Sequence, residues 1–116
     1  MAQVTGRVVI TVGGKRYATR EGATLKYSEV SRQGEVADSG VVGFSEKTEI
    51  PEIECVIVHT ADVSLKEIEN IKDATCSFDT DTGRSFVLSN AWNTGAVQLT
   101  KGEISTRFQG IKCEEV

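Results

Sequence analysis

Asp79, Asp81 and Gly83 are the residues of this chain best placed, by type and spacing, to do chemistry. They lie in "CSFDTDTGRSFVLSNAW", residues 76–92. Asp81-Thr82-Gly83 spells the triplet used by aspartic proteases, where two close carboxylates share one proton because both cannot ionise. That chemistry needs an aspartate in a sheltered loop entered from an apolar strand. Here Asp81 follows "FDT" and precedes Arg84, with Asp79 two residues away, so the site is polar and exposed. A calcium loop starting at Asp79 also fails, because Gly83 falls one place early and the twelfth residue is Asn90 rather than glutamate. The remaining reading is a hairpin turn. Asp, Thr and Gly are turn formers, Gly83 can adopt a left-handed conformation, and strand patterns lie on both sides.

No other catalytic set emerges. His59 is the single histidine and ends an apolar run, which suits a structural role. Cys55, Cys76 and Cys113 are odd in number and lack metal-ligand spacing, so they are expected to be buried, reduced thiols. There is no phosphate-cradling glycine loop. The chain therefore reads as a non-enzyme that takes no cofactor and no metal. A net charge of −4 and a pI near 5.0 argue against a protein that grips nucleic acid, which needs a basic stripe. They suit one that nucleic acid slides past. The start, "MAQVTGRVVITV", lacks the layout of a signal peptide. The apolar runs are far below the ~20 residues of a membrane helix. The expectation is a soluble, non-secreted chain that makes no use of a membrane.

The 116 residues suffice for one domain, residues 1–116, with 39% hydrophobic and 26% charged residues in globular balance. Val8 to Val12, Gly13-Gly14 and Lys15 to Thr19 predict a hairpin. Residues 24–32 alternate and predict a strand. Residues 33–51 predict a long loop: its glycines break any periodicity, yet Val41, Val42 and Phe44 are apolar. Such a loop either covers its own core or packs on another chain. "EIECVIVHT", residues 52–60, predicts the central strand, with Ile53, Cys55 and Ile57 inward and Glu52, Glu54 and Val56 outward. Two adjacent carboxylates there make either a solvated face or an acidic wall. Residues 62–74 predict the helix, with a Ser64–Glu67 capping box and a stripe of Leu65, Ile68 and Ile71. Residues 76–78 and 85–92 flank the opening turn, and strands at 96–100 and 103–113 close the chain around Lys101-Gly102. The fold class is mainly β: two packed antiparallel sheets, as a sandwich or barrel, with one short helix. Its strand edges need covering, charge or a partner. Asn90 and Trp92 read as structural, the tryptophan filling the core with its N–H satisfied.

"DATCSFDTDTGRSFVLSNAW" followed by "GEISTRFQGIKC" resembles the C-terminal half of Mu-like phage tail tube proteins. Asp73 to Trp92 and Gly102 to Gly110 carry the match, and the earlier elements fit the same order. The resemblance implies a structural virion protein whose six copies form rings that stack into a hollow tube. The tube would conduct DNA during ejection without binding it specifically, inside a contractile sheath. The implied partners are further copies of the chain and the tail sheath, tape-measure and baseplate or terminator proteins. Assembly is expected in the host cytoplasm, and the product in the virion tail. On this reading Glu52 and Glu54 face the lumen, and Gly40, Val41, Val42, Gly43 and Phe44 reach a neighbouring subunit or ring. Two alternatives stay open: a tube of a tailocin or type VI-like secretion system, and a small β-barrel adaptor that binds a protein partner.

Overall fold

The computed structural model describes residues 7–95 and 97–116. Ala96, which opens the expected strand at 96–100, and residues 1–6 of the stretch inspected for a signal peptide lie outside them. In chain order the elements are β1 (Val8–Val12), β2 (Lys15–Tyr17), β3 (Thr24–Lys26), β4 (Val30–Ala37), β5 (Gly40–Thr48) and β6 (Glu52–Val58). They are followed by α1 (Leu65–Glu69), β7 (Ala74–Thr80), β8 (Ser85–Asn93), β9 (Gln98–Thr100), β10 (Glu103–Gln109) and β11 (Lys112–Glu115). No helix among the described residues is long and apolar enough to cross a membrane.

Two antiparallel sheets share β8. The first runs β2-β1-β7-β8-β11 and the second β8-β10-β6-β3, with β9 also on β10. On the opposite side, Thr19 bridges Ile57, Arg20 N donates to Val56 O and Val58 N donates to Ala18 O. The sheets are thus joined along both sides and wrap one core. Alternation dictates that core: Ile10, Val12, Cys76, Phe78 and Leu88 come from the first sheet, and Ile53, Cys55, Ile57, Ile104 and Phe108 from the second. Ile68 of α1 completes it.

β8 changes sheets at Asn90, whose φ of 52° is left-handed. The register with β7 slips by one residue there: Ala74 faces Ala91, but Cys76 faces Leu88. This is a β-bulge, which bends a strand and lets it leave one sheet for another. Asn90 Nδ2 donates to Asp73 Oδ1 at 2.9 Å, holding the bend. The core beside it is filled by Ala91 and Asn93 rather than by Trp92, which is half-buried on the outer face. Asn93 replaces the expected indole as the satisfied polar group. Its Nδ2 donates to Thr106 Oγ1 at 2.6 Å, its Oδ1 accepts from Gly95 N, and its backbone N–H donates to Ile71 O.

Four expected elements differ. The helix is five residues, not thirteen: Ser64 caps it by accepting from Glu67 N, and the chain turns out after Asn70. The 103–113 strand is two strands broken at Gly110, where a Cβ would lie 2.6 Å from Leu88 Cγ. Only glycine lets the chain pass that buried leucine. The 33–51 loop, finally, is no loop. With residues 30–32 it forms the hairpin β4–β5, and the strand expected over 24–32 is interrupted between Lys26 and Val30.

Candidate functional site

The aspartates do turn chemistry. Asp81 is exposed; its Oδ2 accepts from Arg7 N and its own N–H donates to Arg7 O, tying the turn to the start of β1. Thr80 Oγ1 receives Arg84 N, and Gly83 is left-handed with φ 90°. The described residues contain no group of three potential metal ligands. Cys55, Cys76 and Cys113 are free and buried. Burial, aided by the Glu54 charge, pushes the Cys55 thiol up to about 12, and burial with the Cys55 charge does the same for Cys76. Such thiols are inert rather than nucleophilic.

What remains are surfaces. On β6, Glu52 and Glu54 do lie on the side away from the core, as the alternation requires. They are not a bare acidic wall. Arg107 on β10 sits between them, with Nε 2.7 Å from Glu52 Oε1 and Nη2 3.3 Å from Glu54 Oε2. The Glu52 contact is an ion pair without a directed hydrogen bond, since Oε1 is otherwise buried and unpaired. The same face carries Glu103, paired with Arg20 at 3.1 Å, and Lys26, opposite Glu52 in register. Three acids therefore face three bases. The sequence pattern along β6 exposes the two glutamates, but Arg107 arrives through strand pairing and was legible only once the register was known.

The second surface is the β4–β5 hairpin. Every residue of both strands is exposed. The radius of gyration is 17.0 Å, against about 13 Å for a compact chain of this length, and the molecule extends 62 × 39 × 26 Å. Register sorts the hairpin into two faces. One carries Arg32 with Glu46, Gly34 with Phe44, and Val36 with Val41; the other carries Ser31 with Lys47 and Gln33 with Ser45. A bulge between Glu35 and Val36 adds Val42 near Val41. Val36, Val41, Val42 and Phe44 are 60–78% exposed. The hairpin therefore does not cover its own core.

The fold of this chain is shared with chains of contractile injection systems solved in a tube-terminating cap and in sheath–tube assemblies. The tube-terminating cap of the anti-feeding prophage aligns with a TM-score of 0.70 at 12% identity, over 97% of this chain and 89% of the other. A chain of the PVC sheath–tube complex in the extended state, from an extracellular contractile injection system, aligns at 0.59 and 15% identity, over 100% and 91%. Sequence narrows this class. The sequence pattern of the phage tail tube protein family matches residues 1–115, and the chain belongs to that family. It is 32% identical over 115 residues to the Mu-like prophage FluMu tail tube protein of Haemophilus influenzae, covering 98% of this chain and 97% of that one. It is 34% identical over 103 residues to the tail tube protein of Escherichia phage Mu, covering 89% and 86%. Tail tube proteins are structural, and the non-enzyme reading stands.

Proposed function

We propose that this chain forms hexameric rings that stack into a hollow tail tube, through which DNA passes during ejection. The observation that carries the reading is the amphipathic, wholly exposed β4–β5 hairpin on an otherwise closed domain. A two-stranded ribbon alone is at best marginally stable in water. Its apolar face needs a partner, and Gly40, Val41, Val42, Gly43 and Phe44 seat it on a neighbouring subunit or ring. The whole chain acts as one tube domain. The tube sits inside a contractile sheath, meets tape-measure and baseplate or terminator proteins at its ends, and assembles in the host cytoplasm. Negative-stain electron microscopy of the concentrated protein tests this. Rings or hollow filaments with six-fold symmetry are expected. A uniform small particle that never polymerises, even with an initiator complex, favours the monomeric adaptor instead.

Glu52 and Glu54 face the lumen on this reading, on a face whose three acids and three bases balance. Phage carrying lysine at both positions should assemble tubes but eject DNA more slowly, because a cationic bore retains phosphate. Normal ejection from such tubes overturns the lumen assignment. The likeness to injection-system proteins favours, as a second reading, a tube of a tailocin or secretion system. DNA-free tubes in particles purified from the source would select it.

A further inference from the structure

The two outermost strands of the first sheet, β2 and β11, carry opposite charge. Register places Arg16, Thr11, Ser77, Val87 and Glu114 in one row across its outer face. Arg16 on β2 and Glu114 on β11 end that row, four strand spacings or about 19 Å apart. Everything between them is uncharged. Arg16 is exposed and forms no ion pair among the described residues. It lines a groove of about 460 Å³ with Arg7 and no acidic residue, in a chain whose net charge is −4. At the far edge, a groove of about 550 Å³ between β11 and the foot of the hairpin carries Glu29, Glu114 and Glu115 against Arg32 and Lys112. Glu114 is engaged by Lys112 at 2.9 Å, but both side chains are more than half exposed. Such a pair contributes little and yields readily to a better-placed cation.

We infer that the β11 edge of one copy docks beside the β2 edge of the next, with Glu114 meeting Arg16 across the junction. The two edges are different patches, so the contact is heterologous and propagates in one rotational sense, closing into a ring when the rotation permits. Both strands run antiparallel to β1 and β8, so they point the same way. The chain beyond Tyr17 is already paired with β6, so the junction is made by side chains and not by a continued sheet. The inference rests on the tube reading and adds which edges join and what selects them.

Charge reversal tests it. Arg16→Glu and Glu114→Arg each place like charges at every junction, and each should raise the concentration needed for ring formation roughly tenfold or more. The double variant restores opposite charges and should assemble like wild type. A one-to-one mixture of the two single variants should also assemble, because alternating copies meet with opposite charge at every junction of an even-membered ring. Melting curves and size-exclusion chromatography establish that each variant is folded. Wild-type-like assembly of the folded single variants overturns the edge inference while leaving the tube reading intact, as does a folded double variant that fails to recover. Failure of the wild type itself to form rings overturns both.

Discussion

Gly110 and Asn93 show what single residues decide here. Gly110→Ala forces a methyl group against Leu88, with Ser89 O also only 2.9 Å away. We expect a loss of about 1–3 kcal/mol in urea unfolding, the usual cost of overpacking. Thr106→Val removes the acceptor of Asn93 Nδ2 and strands a buried donor. That should cost about 1–3 kcal/mol. An unchanged midpoint in either variant would mean the surroundings relax more than the geometry suggests. The thiols make a pH prediction. Cys55 and Cys76 titrate near 12 in the folded chain, against 9.0 ordinarily, so above pH 9 the unfolded chain holds fewer protons. Stability contributed by these thiols is fully present below pH 9 and falls as pH rises from 9 towards 12. Native protein at pH 8 should react slowly with a thiol reagent, and all three cysteines should react on denaturation.

At the level of elements, the β4–β5 hairpin separates folding from assembly. Val41→Asp or Phe44→Asp alters a side chain that touches solvent rather than the core, so the melting temperature of the monomer should hardly move. Assembly, followed by light scattering, should fall sharply; assembly at the wild-type rate would remove the hairpin from the interface. Elements with one wet and one buried face were legible in the sequence. Glu52 to Val58 alternates cleanly, and Gly13-Gly14 and Asp81 to Gly83 sit between such runs. The hairpin was not, because neither face meets this chain's own core, and Gly34, Gly40 and Gly43 interrupt the pattern that burial would otherwise impose. The helix was read too long because its 3-residue apolar spacing continues to Ile71, whose carbonyl is instead taken by Asn93 N. Arg107 between Glu52 and Glu54 was invisible for a different reason. Residues that meet across 53 positions of chain do so only through register.

For the whole molecule, charge is distributed rather than concentrated. The outer face of the second sheet balances three acids with three bases, and the first sheet keeps opposite signs at its edges. Lateral contact between copies should therefore weaken with salt, whereas hairpin seating should not, because screening acts on exposed charges and not on apolar burial. Titrating sodium chloride against ring and filament populations separates the two: rings should loosen first, and a salt-independent ring would argue that charge has no part in the lateral junction. The bend of β8 at Asn90 has a mechanical corollary. A strand that belongs to both sheets is a covalent tie between them, so a shearing load on one face is carried to the other along the backbone instead of across sliding side chains. A wall built from such units would transmit stress as a stiff shell, and its weakest points would be the seams between copies.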